Sequence, residues 1–165
     1  MLRLSRSALA AALAVTAGTL PAFAQPSASS RGEYLAQIMD CGGCHTKGVF
    51  LGKPDPKGYL AGSEIGFQIP GLGIFYPPNL TSDPETGLGR WSTEDIVKAV
   101  RTGERPDGRM LAPIMPWMHY AKLTDEDARA LAAYIKALPA VRNQVPAITG
   151  PSEKPTAGYL TVVIP

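Results

Sequence analysis

Five consecutive positions, Cys41-Gly42-Gly43-Cys44-His45, hold both cysteines of the 165-residue chain and one of its two histidines. A redox dithiol would need a strand and a βαβ pattern around the pair, and here an amphipathic helical pattern precedes it. A zinc site needs about four N, S or O ligands, and His119 is the one histidine left to join. A local disulfide gives His45 no task. The remaining reading is C-x-x-C-H, the attachment signature for a c-type haem. Two thiols at this spacing can add across the vinyl groups on one edge of a porphyrin, and the next histidine then lies under the iron as proximal ligand. Soft methionine sulfurs downstream keep a Cys/His/Met copper-binding protein as the non-haem alternative.

The sixth iron position has to come from elsewhere. Beyond the leader the methionines are Met39, Met110, Met115 and Met118. Met39 falls on the helix before the motif, where a thioether normally fills core space. The other three crowd into Arg109 to Met118, a proline-interrupted stretch. Met110 follows the Asp107-Gly108-Arg109 turn and suits an anchoring role there. Pro116 disfavours helix for the residue before it, which holds Met115 extended. A stiffened thioether has less freedom to lose on coordination. Met115 is therefore the expected axial partner of His45, with Trp117 and Met118 covering it. His119 lies close enough in sequence to remain a competitor.

Three helices position these groups. Arg31 to Asp40 puts Tyr34, Leu35 and Ile38 on one face and runs into Cys41. Ser92 and Asp95 form a capping box, Trp91 and Ile96 sit at the hydrophobic-staple positions, and Gly103 supplies the stop. Thr124 starts the last helix, with Asp125, Glu126 and Asp127 in its first turn and Pro139 after its end. Leu131, Tyr134, Ile135 and Leu138 recur at i, i+3, i+4 and i+7 and give it one buried face. Thr46 to Trp91 carries 9 Gly and 6 Pro in 46 residues, a composition of turns and extended segments. So long a loop, dotted with large apolar side chains, is expected to wrap around something. Residues 141–165 form a Pro-rich tail, with Tyr159 to Ile164 an extended strip.

Composition narrows the class. At 45% hydrophobic and 18% charged residues the chain suits a single domain, and two cysteines cannot scaffold it through disulfides. Arg3 and Arg6, the apolar stretch from Ala8 to Leu20 and the small-x-small site Ala22-Phe23-Ala24 read as a Sec export signal over residues 1–24. That stretch is short for a bilayer core, which needs about 20 residues. Residues 25–30 are expected to be a flexible lead-in and 31–140 the domain. Sixteen Lys and Arg face fourteen Asp and Glu, and removal of Arg3 and Arg6 brings the balance to zero. A neutral domain offers nucleic acid no electrostatic footprint. The mature chain has no transmembrane stretch.

The chain resembles class I c-type cytochromes, and more narrowly the cytochrome modules that serve bacterial periplasmic dehydrogenases. The likeness lies in Ile74-Phe75-Tyr76-Pro77-Pro78-Asn79-Leu80-Thr81, in Asp83-Pro84-Glu85-Thr86-Gly87-Leu88-Gly89-Arg90-Trp91, in Pro106-Asp107-Gly108-Arg109, and in Met115-Pro116-Trp117 followed by Tyr120 to Asp127. It covers Arg31 to Pro139. Some relatives carry a Met just before the last helix, where this chain has Leu123. The resemblance implies an all-α fold whose helices and long Gly/Pro-rich loops wrap one covalent haem c. Cys41 and Cys44 would be its thioether sites, and His45 and Met115 its axial ligands. Gly32, Tyr34 and Tyr134 would serve the crossing of the first and last helices. Trp91 is open to two readings, a propionate donor or a staple residue. Arg90 and Arg109 are candidate propionate partners or solvated side chains.

The function implied is electron transfer in the periplasm. A flavin, quinoprotein or molybdenum dehydrogenase would be the donor, and a cytochrome or respiratory oxidase the acceptor. A haem enzyme or gas sensor would need a labile sixth position, and nothing in the sequence resembles a distal His/Arg pair.

Overall fold

A computed structural model describes residues 27–164; the expected export signal lies outside the described residues. Helix α1 spans Ala28–Ile38, with Ser27 as its cap accepting from the Ser30 amide at 3.3 Å. The helix thus begins three residues before the expected Arg31, and the expected flexible lead-in is helical from Ala28. A left-handed Asp40 (φ 53°) turns the chain into α2, Cys41–His45. α3 covers Thr93–Thr102 between the Ser92/Asp95 capping box and Gly103, as the sequence indicates. A short α4, Trp117–Tyr120, precedes α5, Asp125–Ala137, which Thr124 caps through the Asp127 amide.

The expectation of an all-α fold gives way to a mostly helical one with a small sheet. Strands β1 (Gly66–Ile69) and β2 (Gly73–Phe75) pair antiparallel, Phe67 opposite Phe75, across a turn with Gly71 at φ 77°. β3 (Tyr159–Leu160) joins the other edge of β1 in parallel, Gly66 opposite Tyr159. Thr149 pairs with Ile74 on the outer edge of β2. β3, the parallel partner of β1, lies some ninety residues away, so no local pattern in either short segment announces that pairing.

α1 packs chiefly on α5, and α3 packs on α5 and α4. Leu35, Ala36, Leu88, Ile96, Leu131, Ala132 and Ile135 form the buried core, with Cys41, Trp91 and Tyr134 packed against it. The α1–α5 crossing depends on Gly32. A Cβ there would meet the Ala130 carbonyl oxygen and come within 2.6 Å of the Tyr134 Cβ. Arg31 reinforces the crossing, its guanidinium donating twice to the Asp127 carboxylate at 2.8 and 3.1 Å.

Candidate haem centre

α1 delivers the attachment motif just beyond its C-terminal end, six residues after the core residue Leu35. Cys41 and Cys44 sit at i and i+3 of α2, a spacing that puts them on one face. Both are free and half-buried. Burial pushes the Cys41 thiol up to about 11 and raises Cys44 as well, an environment for neutral sulfur rather than thiolate. The two intervening glycines leave room for neighbouring side chains. A Cβ at Gly42 would approach the Tyr59 ring to 2.8 Å, and one at Gly43 would run into the Asp40 carboxylate.

His45 is buried, and its Nδ1 lies 2.8 Å from the Pro78 carbonyl oxygen. A carbonyl can only accept, so Nδ1 carries the proton and the Nε2 lone pair is free for a metal. Burial lowers the His45 pKa, against the raising effect of the Pro78 carbonyl, so the ring stays neutral as a ligand must. Pro78 is held in turn by its neighbour. Asn79 is buried; its Oδ1 accepts from the Thr81 amide and hydroxyl at 2.9 and 2.7 Å. Its Nδ2 donates to Thr86 Oγ1 and the Val141 carbonyl at 3.0 and 2.7 Å. No local pattern in the sequence marks the role of Pro78 and Asn79, because the buried imidazole that the Pro78 carbonyl meets lies 33 residues earlier.

Met115 occupies a bend, its amide donating to the Ala112 carbonyl at 2.9 Å. It is bent rather than extended, yet it stays outside α4, as Pro116 demands. Met115 is half-buried, whereas Met110 and Met118 are 48% and 52% exposed. His119 is exposed too. α4 is tied to the attachment motif through Tyr120, whose hydroxyl donates to the Met39 carbonyl at 3.1 Å. Burial, with the Cys41 and Cys44 thiols nearby, pushes the Tyr120 phenol up to about 12. The segment bearing Met115 is thus anchored beside the cysteines.

The expected propionate candidates fall into different settings. Trp91 packs against the core with the Arg105 guanidinium 5.1 Å above its ring. Arg90 and Arg109 are exposed. Sequence reading gave Trp117 only a covering role. Its ring lies on Gly103, where a Cβ would come within 2.6 Å of it, and its Nε1 is buried without a hydrogen-bond partner.

These features fit a haem: paired neutral thiols beside a glycine cradle, a neutral imidazole with a free Nε2, a half-buried thioether and one orphaned donor. Cys41 and Cys44 would hold the ring covalently, and His45 would ligate the iron. When bound, the haem supplies a one-electron iron couple.

Residues 29–139 match the family model for cytochrome c, and the chain belongs to that family, whose members carry covalently bound haem c. It is 41% identical over 125 residues to the cytochrome c subunit of a quinone alcohol dehydrogenase from Gluconobacter oxydans, covering 73% of this chain and 24% of that protein. Identity is 42% over 116 residues with the fructose dehydrogenase cytochrome subunit of Gluconobacter japonicus, covering 70% and 22%. It is 41% over 128 residues with the gluconate 2-dehydrogenase cytochrome c subunit of Pantoea cypripedii, covering 74% and 27%. The chain spans about a quarter of the length of these relatives. Among the described residues no helix is long and apolar enough to cross a membrane.

Proposed function

We propose that this chain is an electron-transfer protein of the periplasm. It carries one haem c bound through Cys41 and Cys44, with His45 and Met115 as axial ligands. The observation that carries the reading is His45, buried beside the two thiols with Nδ1 committed to Pro78 and Nε2 left for iron. The single C-x-x-C-H in the sequence supports one haem. Two protein ligands leave the iron no position for substrate, so the chain does no bond chemistry of its own. Its residues insulate the cofactor, set its potential and present a docking face. Residues 1–24 direct export. The names of the relatives support a dehydrogenase as donor, and a flavin, quinoprotein or molybdenum enzyme is the type proposed. A second cytochrome or an oxidase is the acceptor. Trp91, Arg90 and Arg109 line the approach to the propionates.

Intact mass of the exported protein tests the attachment: residues 1–24 are lost and one haem is gained that survives acid-acetone extraction. Extractable haem would refute it. The ligand assignment is tested by Met115→Ala, which abolishes the weak sulfur–iron absorption band, lowers the potential and admits carbon monoxide. Met110→Ala and Met118→Ala keep the native spectrum. Loss of the band in Met118→Ala alone would move the ligand by one helical turn.

A further inference from the structure

The two loops that hold His45 run side by side. The Leu80 amide donates to the Leu60 carbonyl at 2.8 Å, and the Ser63 amide to the Pro77 carbonyl at 3.1 Å. Between these bonds each loop offers His45 one group. One supplies the Pro78 carbonyl, 2.8 Å from Nδ1; the other supplies the Gly62 amide, which donates to the His45 carbonyl at 2.8 Å. Gly62 is left-handed (φ 94°), and a Cβ there would lie 2.9 Å from the Asn79 amide nitrogen and 3.1 Å from the Pro78 carbonyl carbon. The imidazole and the backbone of His45 are thus fixed by one double-loop unit.

A third segment closes over that unit. Residues 141–145 lie beyond the part of the chain that matches the family model, and they run past both loops. On the Pro78 side, the Val141 carbonyl accepts from Asn79 Nδ2 at 2.7 Å and the Val141 amide donates to Thr81 Oγ1 at 3.2 Å. The Asn143 amide donates to Thr86 Oγ1 at 3.0 Å, the same oxygen that accepts from Asn79. On the Gly62 side, Asn143 Nδ2 donates to the Ala61 carbonyl at 2.7 Å. Val145 Cγ1 packs where a Cβ on Gly62 would have to go. Ala61, Asn79 and Thr81 are buried, so a segment that lifted away would leave buried polar groups without partners. Asn143 bonds on both sides, through its amide to Thr86 and through its side chain to Ala61.

We propose that residues 141–145 form a proximal clamp, with Asn143 as the positioning residue that holds Ala61-Gly62 and Pro78-Asn79 against His45 and thereby tunes the potential of the iron. The inference rests on the haem c reading above. A histidine whose Nδ1–H is firmly bonded to an acceptor is a more basic ligand, and a more basic ligand favours the ferric state. Slackening the Pro78 contact therefore raises the potential. A merely structural role for the tail would change stability and leave the potential alone.

The test uses the exported holoprotein. Mass spectrometry of the parent protein first establishes attached haem; its absence overturns the electron-transfer reading itself. With haem present, Asn143→Ala and Asn143→Asp both remove the Nδ2 donor, the second with little change of shape. Each should raise the midpoint potential and speed hydrogen exchange at the Gly62 amide by about tenfold relative to the Leu131 amide of α5. Gln144→Ala, at an exposed neighbour, and Thr124→Ala, which loses the cap of α5, should leave the potential in place. An unmoved or lowered potential in both Asn143 variants, or an equal rise in Thr124→Ala, refutes the clamp. Where neither Asn143 variant matures, native-state exchange of the parent holoprotein in low urea decides. The Gly62 and Asn143 amides should open together and before that of Leu131, and separate opening refutes the inference while the haem reading stands.

Discussion

Gly32→Ala tests whether the α1–α5 crossing is what sets the attachment motif in place. Two effects of opposite sign compete. Alanine is a better helix former than glycine by about 0.5–1 kcal/mol, and α1 would gain that. The new methyl would also lie 2.6 Å from the Tyr134 Cβ, where ordinary contact begins at 3.4 Å, so the helices must part by at least about 0.8 Å. The Ala130 carbonyl oxygen it meets is backbone and cannot swing aside. Overpacking of this kind costs about 1–3 kcal/mol, so packing wins with a net loss on the order of 1–2 kcal/mol. Thermal unfolding of the ferric holoprotein should then show a midpoint lower by roughly 3–8 °C. Gln37→Ala, on the exposed side of the same helix, should shift stability by less than about 0.5 kcal/mol. An unchanged or higher midpoint in Gly32→Ala would refute the reasoning, because helix propensity would then have outweighed the crossing.

Other perturbations reach different parts of the fold. Asn79→Ala strips partners from the Thr81 amide, the Thr81 hydroxyl and the Val141 carbonyl, and urea titration should show a loss of about 2–4 kcal/mol. Its iron spectrum should also broaden as Pro78 loosens its hold on His45; native stability with a native spectrum would contradict both. Lys136 donates to the carbonyls of Gly89 and Trp91 at 3.0 and 2.7 Å, and Lys136→Met should cost about 1 kcal/mol, since water can partly replace the bonds. A stabilised variant would show that desolvation of the ammonium outweighs them. Asp127 is held below its ordinary pKa, first by the hydrogen bond from Arg31; Thr86 and Ser92 do the same for Asp83 and Asp95. Each depressed carboxylate stabilises the fold fully above its unfolded pKa of about 3.9, and that contribution fades as pH falls through the lower folded value. Asp127→Asn should accordingly flatten the decline of stability below about pH 4, and an acid limb as steep as that of the parent protein would be the contrary result.

The sequence by itself determined the parts that local chemistry sets. C-x-x-C-H names its cofactor because covalent attachment needs two thiols and an imidazole within five residues. The starts of α3 and α5 were legible at Ser92/Asp95 and Thr124 because a cap is satisfied within its own first turn. Pro116 likewise keeps Met115 out of α4 through its effect on the residue before it. Only the tertiary structure decided what depends on distant partners. The Pro78 carbonyl meets His45 across 33 positions, and the Asn79 amide reaches Val141 across 62. β3 pairs with β1 although neither is long enough to show a sustained alternation, and that contact adds a distant third strand to the β1–β2 pair. Whether a tryptophan is a staple, a cover or an orphaned donor depends on what lies over its nitrogen. No spacing encodes that, which is why Trp91 drew attention in the sequence and Trp117 stands out in the fold.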